Sequence, residues 1–283
     1  QIAVPVLLGR EVQIREHAAA LSIDVTDLDI VNVPNEEHEL SYAEALYTLR
    51  QRKGITLPAA LDMVRDPTIY GLLMVQRGDA DGFVGGMYKA FPETIRPALQ
   101  IVGLKEGVSR VSAAHVLVLK DRIFFCADTM VNIQPTAEEL AEIALLAADL
   151  ARNFDTDPRV ALLAFSSFGS VPHPISAKVA AAVELVRHKN PDIVVDGEMH
   201  LDTAVVEEIV TKNYPHSRIK GDANVLVFPD LTSGNIGYKL LHRLGNADAN
   251  LGVPDHHAER DGYTTERSGY PRGSRRSSAR RRG

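Results

Sequence analysis

The chain has 283 residues, 45% of them hydrophobic, which is enough apolar material for a large core and for more than one domain. Its formal net charge is −6 at pH 7, and an acidic body argues against broad nucleic-acid binding, because that affinity depends on basic side chains that neutralise phosphates. The sequence has no apolar run near the roughly 20 residues that cross a membrane and no charged-then-apolar leader before Gln1, so we expect a cytoplasmic protein without a membrane partner.

The first part of the chain alternates short apolar strands with helical patterns, which is typical of a parallel sheet covered by helices on both faces. The pattern predicts strands at 2–8 and 29–33, helices at 11–21, 42–52, 58–65 and 69–77, and a short strand or turn at 81–86. We therefore expect an α/β fold from the start of the sequence, with a first domain over residues 1–108.

The second part repeats this alternation with stronger signals, and we place a second α/β domain over residues 109–247. Thr136-Ala137-Glu138-Glu139 is a capping box and predicts the start of an Ala/Leu-rich helix that reaches residue 153. The other predicted elements are strands at 111–119, 122–127, 159–165, 192–195 and 224–228, and helices at 175–188, 201–212 and 236–244. Cys126 lies in an apolar strand and is predicted to be a buried thiol; as a lone cysteine it excludes an intramolecular disulfide.

Charge is distributed unevenly along the chain. Residues 251–283 contain eight arginines, no lysines and four acidic residues, a charge of +4, so the total of −6 leaves −10 for the body before them. We predict a basic, disordered tail over residues 248–283, because such a composition buries too little apolar surface to order itself. An arm that binds nucleic acid or a membrane is the alternative.

In open parallel sheets, ligands bind beyond the carboxyl ends of the strands, so the turns from strand to helix are candidate sites. The first such turn contains Ser166, Ser167, Gly169 and Ser170. Three hydroxyls, a glycine that permits close approach and free amides at a helix start predict a phosphate site. An ordinary serine-rich helix cap is the alternative.

A second turn, residues 229–235, ends in Ser233, Gly234 and Asn235. These small polar residues could bind a phosphate or the amide of a pantetheine arm, since helix amides are unsatisfied there. The alternative is a turn with no ligand, for which this composition is also typical.

A third turn places Asp196, Glu198 and Asp202 around one strand end. Such carboxylates could act as a base or bind a cation, or they could cap helices. His173 and His200 lack the spacing of a zinc site, and neither a dinucleotide nor a nucleoside triphosphate motif occurs. We therefore predict no metal and no cofactor in this segment.

Several runs of residues together resemble the phosphate acetyl/butyryltransferase family, the phosphotransacetylases. These runs are 50–56, 77–82, 95–100, 127–128, 131–132, 135–138, 196–199, 223–230 and 234–239. Within the family, residues 101–104 and 165–170 are most similar to the phosphotransacetylase-like domain at the C-terminus of bacterial NADP-dependent malic enzymes, which would place malic and NADP-binding portions upstream of Gln1.

The resemblance implies a two-domain, three-layer α/β/α fold like that of isocitrate dehydrogenases, with the ligand cleft between the domains. A homodimer or higher homo-oligomer is the assembly that it implies, and acyl-CoA and phosphate are the implied ligands. Arg96 matches the arginine of the family's R-P-A-L-Q run and Arg50 a second one, and both would stabilise phosphoryl oxygens, to which the planar arginine fork is suited.

The sequence also departs from the family. The family continues with an apolar strand and a terminal segment that carries a Ser-Arg pair and the base aspartate, and here the Arg/Ser/Gly tail replaces that stretch. His200 stands where the family usually has glutamine.

Three functions are compatible with these features. The first hypothesis is an acetyl-CoA-sensing regulatory part of an NADP-dependent malic enzyme, with weak or lost transferase activity, in which NADP and a divalent metal bind only the upstream portion. The second is an active phosphate acyltransferase that moves an acetyl group between CoA and phosphate. The third is an interaction protein whose basic tail recruits partners.

Overall fold

The structure is a computed structural model that describes residues 4–33, 36–85, 89–104, 107–119, 122–245 and 247–252. The described helices are α1 (Glu11–Ala20), α2 (Glu36–Arg50), α3 (Leu57–Met63), α4 (Pro67–Arg77), α5 (Phe91–Ile101), α6 (Ala137–Asn153), α7 (Pro174–Lys189), α8 (Leu201–Val205), α9 (Glu207–Asn213) and α10 (Leu231–Arg243). The described strands are β1 (Val6–Leu8), β2 (Asp29–Val31), β3 (Ala114–Leu119), β4 (Arg122–Ala127), β5 (Arg159–Leu163), β6 (Val194–Met199), β7 (Val225–Val227) and β8 (Asp248–Gly252).

The strands form two sheets. β1 and β2 pair in parallel, and the other six strands form a sheet in the order β6-β5-β7-β4-β3-β8. β6, β5, β7 and β4 run parallel to one another, whereas β3 is antiparallel to both β4 and β8. The carboxyl ends of four parallel strands therefore meet at a single edge of the larger sheet.

Helices cover both faces of the six-stranded sheet, because neighbouring residues of each strand point to opposite sides. On one face, Phe125 and Leu162 pack with α6 and α7 residues such as Ile143 and Val183. The opposite face has its own cluster, with members from α8 and α10; they include Leu117, Cys126, Leu226, Met199, Ala204 and Leu241. The predicted three layers of helix, sheet and helix are present.

The first part of the chain has a separate hydrophobic cluster, built by α2 to α5 and the two-stranded sheet. Its fully buried members include Leu46, Tyr70 and Leu73. The division of the chain at residue 108 stays a prediction.

Two local predictions are confirmed at atomic detail. Thr136 Oγ1 accepts a hydrogen bond from the Glu139 amide at 3.3 Å, and Glu139 Oε2 accepts one from the Thr136 amide at 2.8 Å, so the predicted capping box starts α6. Cys126 is fully buried, and this burial raises the pKa of its thiol to about 12.

Other predictions need correction. The helix predicted over 201–212 is two helices, α8 and α9, separated at Val206, which is extended. Tertiary contacts take the carbonyls that a continuous helix would use: the Ala223 amide donates to the Ala204 carbonyl, and Arg122 donates to that of Val205. Helix α5 was not predicted, because Pro97 in its middle is typical of a helix end.

The end of the sheet also differs from the prediction. Residues 248–252, which we assigned to the tail, form β8 and pair with β3 in a register that joins Ala114 to Gly252. The rest of the predicted tail, residues 253–283, lies outside the described residues. None of the helices in the described ranges is long and apolar enough to cross a membrane.

Candidate functional site

Four segments lie at the carboxyl edge of the six-stranded sheet, one after each parallel strand. They begin at Asp128 after β4, at Ala164 after β5, at His200 after β6 and at Phe228 after β7. The first two turns that the sequence singled out are found at this edge, where ligands of open α/β sheets bind, whereas most of the third is the end of β6.

The predicted phosphate residues are held together by a carboxylate of the same chain. Glu198 Oε1 accepts hydrogen bonds from Ser166 Oγ at 2.9 Å and from the Gly169 amide at 2.7 Å. Ser170 Oγ accepts from the Ser167 amide at 3.0 Å. Ser166 and Ser167 are buried, whereas Gly169 and Ser170 are exposed. Two donors of the predicted phosphate site, the Ser166 hydroxyl and the Gly169 amide, therefore already bind the Glu198 carboxylate. The exposed part of the loop is its second half, Gly169 and Ser170.

The same loop is tied to the end of β6. Ser167 Oγ accepts a hydrogen bond from the His200 amide at 2.9 Å, and the Phe168 amide donates to the Glu198 carbonyl at 2.9 Å. Phe168 has a φ of 50°, in the left-handed region that non-glycine residues seldom adopt. These bonds fix the loop between two strands before any ligand binds.

A buried aspartate organises the segment after β4. Asp128 accepts hydrogen bonds from the amides of Met130 at 2.8 Å, Val131 at 3.1 Å and Asn132 at 2.9 Å, and also from the Asn132 side chain. The Asn132 side chain donates in addition to the Val111 carbonyl at 2.9 Å. Several hydrogen bonds to one buried carboxylate make the turn rigid.

The second predicted turn is the first turn of α10. Asp230 caps this helix by accepting from the Ser233 amide at 2.9 Å, and Asn235 Nδ2 donates to the Thr129 carbonyl at 3.1 Å. A Cβ on Gly234 would lie 2.2 Å from the Asp128 carbonyl oxygen, so glycine is required for this close packing. Gly234 and Asn235 therefore join α10 to the segment after β4, whereas Ser233 bonds to Asp230 within its own turn.

The hydrogen-bond partners of Asp196 argue against the role of base or cation ligand that the sequence left open for it. Its buried carboxylate accepts from Arg187 Nη2 at 2.7 Å, Ser217 Oγ at 2.9 Å and the Arg218 amide at 2.7 Å. It lies within β6 rather than in a turn, and these partners occupy both of its oxygens. Asp202 is exposed and accepts from the Thr203 amide at 2.8 Å.

Metal ligands do not cluster in the ranges that the structure describes: no group of three or more histidine, cysteine, aspartate or glutamate side chains there could hold a metal ion.

His115, which the sequence analysis did not single out, is a buried histidine beside the site. Its Nδ1 lies 2.8 Å from Thr129 Oγ1, and its ring stacks on Tyr238 with centroids 3.7 Å apart. Burial lowers the pKa of His115 to about 4, and the positive charges of His242 and Lys239 act in the same direction.

The depressed pKa of His115 predicts an acid-sensitive stability. As pH falls below 6.5, the ordinary pKa of a histidine, His115 binds a proton in the unfolded chain. In the folded chain it does not bind that proton until about pH 4, so the unfolded state is favoured between these values. Between about pH 7.5 and about pH 5, the wild type should therefore lose about 2 kcal/mol more unfolding free energy than His115→Phe, which keeps a ring against Tyr238. Denaturant titrations at both pH values measure this difference, and parallel pH dependences would contradict it.

The two predicted arginines lie in the first part of the chain, outside these four segments. Arg96 is an exposed residue of α5, and Arg50 is the half-buried last residue of α2. Within the described ranges, neither side chain has a hydrogen bond or an ion pair with a partner in the chain.

Lys178 of α7 is a further charged residue at this edge that sequence analysis missed. Its ammonium donates to the carbonyls of Pro135 and Pro229, which belong to the segments after β4 and β7. The sequence places Lys178 near the start of the predicted helix 175–188, next to the serine loop, and this was the available signal. It does not show which loops the side chain reaches.

Comparisons with known proteins agree with this architecture. A family model described as phosphate acetyl/butaryl transferase matches residues 1–252. The chain is 41% identical over 255 residues to a phosphate acetyltransferase of Thermoanaerobacterium thermosaccharolyticum, covering 88% of this chain and 77% of that protein. It is 39% identical over 244 residues to the NADP-dependent malic enzyme of Escherichia coli, covering 85% of this chain but 32% of that protein.

A solved structure is also similar. The EutD phosphotransacetylase from Staphylococcus aureus superimposes with a TM-score of 0.82 at 33% identity, covering 94% of this chain and 81% of that chain. This similarity confirms the predicted α/β class and the phosphotransacetylase fold.

Proposed function

Because the chain belongs to the phosphate acetyl/butaryl transferase family, we propose that it transfers an acetyl group between CoA and phosphate. In one direction, a phosphate oxygen attacks the thioester carbonyl carbon of acetyl-CoA, the carbon–sulfur bond breaks, and CoA leaves as a thiolate. In the other direction, the CoA thiolate attacks the carbonyl carbon of acetyl phosphate and phosphate leaves. Neither direction consumes a redox cofactor.

The observation that carries this proposal is the 41% identity to a phosphate acetyltransferase, which extends over most of both chains. That span includes all four segments at the carboxyl edge. This identity favours an active acyltransferase over the regulatory part of a malic enzyme, which was the first hypothesis from the sequence.

We assign the predicted residues to this reaction according to their exposure. The guanidinium groups of Arg96 and Arg50 would pair with phosphate oxygens, since each can donate two parallel hydrogen bonds. Ser170, the exposed hydroxyl of the serine loop, would contact the phosphate. Gly169 would lie beside it with its amide held by Glu198, and Ser166 and Ser167 would hold the loop in place.

Ser233, Gly234 and Asn235 would lie along the acyl-CoA. They sit in the first turn of α10, where backbone amides are unsatisfied by the helix itself. Asp230 already accepts from the Ser233 amide. The contact that we propose is therefore with an oxygen of the pantetheine arm or of a phosphate, at the amides next to Ser233.

The proposal includes how the protein assembles and where it is found. We expect a cytoplasmic homodimer, two α/β domains with the boundary near residue 108, and a ligand cleft between them. Light scattering of the purified chain should give twice the mass of 30.9 kDa, and a monomer would contradict the dimer.

The second candidate is a regulatory part of an NADP-dependent malic enzyme that binds acetyl-CoA without transferring the acetyl group. The 39% identity to the malic enzyme of Escherichia coli favours it. The NADP and divalent metal of such an enzyme would bind a portion outside this segment.

An assay of the full chain with acetyl-CoA and phosphate separates the candidates. Phosphate-dependent release of the CoA thiol together with acetyl phosphate is the expected result. Calorimetric binding of acetyl-CoA without turnover would instead support the regulatory candidate. Neither binding nor turnover would contradict both.

A further inference from the structure

Lys178 connects two segments of the candidate site that are far apart in sequence. Its Nζ donates to the Pro135 carbonyl at 3.0 Å and to the Pro229 carbonyl at 2.9 Å. These carbonyls immediately precede Thr136 and Asp230, the residues that cap α6 and α10. A single ammonium group thus fixes the distance between the starts of two helices.

This position is electrostatically costly for a cation. Burial lowers the pKa of Lys178, and the carboxylates of Asp230 and Glu139 act in the opposite direction. The amino ends of α6 and α10 carry positive partial charge, which also opposes an ammonium group. A neutral donor could satisfy either carbonyl at lower cost, so folding alone does not explain a lysine here.

The ammonium group instead connects two segments of the site. An ammonium group has three donors, and within the described ranges two of them have acceptors, the carbonyls of Pro135 and Pro229. The segments that Lys178 joins contain Asp128 to Asn132 on one side and Ser233 to Asn235 on the other. The spacing of these two segments therefore depends on the Lys178 ammonium group.

We propose, on the basis of the acetyl transfer proposed above, that Lys178 is a positioning residue. It holds the segment after β4 and the first turn of α10 at the separation that the reacting groups require. Small errors in such a separation lower rates strongly, since a misplacement near 1 Å can cost about 100-fold.

Kinetics of variants test this proposal. Lys178→Met keeps the stem and removes the charge and all three donors, and we expect kcat to fall by about 30-fold. Lys178→Arg, which keeps the charge and can reach both carbonyls, should retain kcat within about threefold. Lys212→Met is the matched control, because Lys212 is an exposed lysine of α9, and it should leave kcat unchanged. A kcat for Lys178→Met equal to that of the wild type would overturn the proposal.

Hydrogen exchange separates this proposal from the proposed function. In Lys178→Met, exchange should rise at the amides of residues 128–136 and 229–235 and stay unchanged on β5 and β6. If the wild type shows no acetyl transfer but this local change occurs, the proposed function is wrong, whereas Lys178 still holds the two segments together. If exchange rises evenly over the whole sheet, Lys178 is only structural and the positioning role is wrong. Should Lys178→Met not fold, Lys178→Ala, which also removes all three donors, takes its place with the same expected results.

Discussion

Replacing Asp196 by alanine should lower the free energy of unfolding by about 3 kcal/mol. The reason is that Asp196 is buried and its carboxylate accepts from Arg187, Ser217 and the Arg218 amide. Without it, the Arg187 guanidinium group, whose Nε is already a buried atom without a partner in the described ranges, keeps its charge and loses its main acceptor. Chemical denaturation followed by circular dichroism measures the change.

Glu184→Ala is the matched control for this prediction. Glu184 pairs with Nη1 of the same arginine at 2.5 Å, but its side chain is 71% exposed, so solvent screens the pair. Its removal should cost less than about 1 kcal/mol. Equal losses from the two variants would show that burial of the Asp196 network contributes nothing.

Replacing Arg96 by alanine should lower kcat/KM for phosphate by about 100-fold, because the charge-assisted, bidentate contact that we propose between Arg96 and a phosphoryl group would be lost. Since Arg96 is exposed and has no partner within the described ranges, the unfolding free energy should change by less than about 0.5 kcal/mol. Steady-state kinetics at saturating acetyl-CoA, together with denaturation, measure both quantities.

Arg52→Ala is the control, since Arg52 is an exposed arginine two residues after Arg50 in the run 50–56. We expect wild-type kinetics from it. If Arg96→Ala and Arg52→Ala behave alike, Arg96 has no role in phosphate binding, and a loss of stability in Arg96→Ala would assign it to the fold instead.

The elements that the sequence predicted well are those specified by local interactions. The capping box at Thr136 and Glu139 involves backbone amides three residues apart, and the apolar period of α6 follows from its own residues. The near-continuous apolar strands β3, β4 and β5 are similarly evident, because strands buried on both faces need apolar residues at every position.

The errors arise where distant residues satisfy polar groups. The run Asp196-Gly197-Glu198-Met199 has the composition of a turn, but it forms the end of β6. It can do so because Arg187 and Ser217 bind one carboxylate, and Ser166 and the Gly169 amide bind the other. Burial of these carboxylates would be too costly without such partners, and no local pattern identifies the partners.

The sequence by itself determined the α/β class and two of the turns that follow parallel strands, because strand and helix periods and helix caps depend on neighbouring residues. The family was identified from the resemblance of several runs of residues. Only the tertiary structure decided that Glu198 binds two donors of the serine loop and that Gly234 packs on Asp128. It also decided that Lys178 joins the segments after β4 and β7. Each of these contacts joins residues that are at least 29 positions apart, counted from the Gly169–Glu198 hydrogen bond. Their geometry therefore depends on how the sheet brings its strand ends together, which chain-local preferences do not encode.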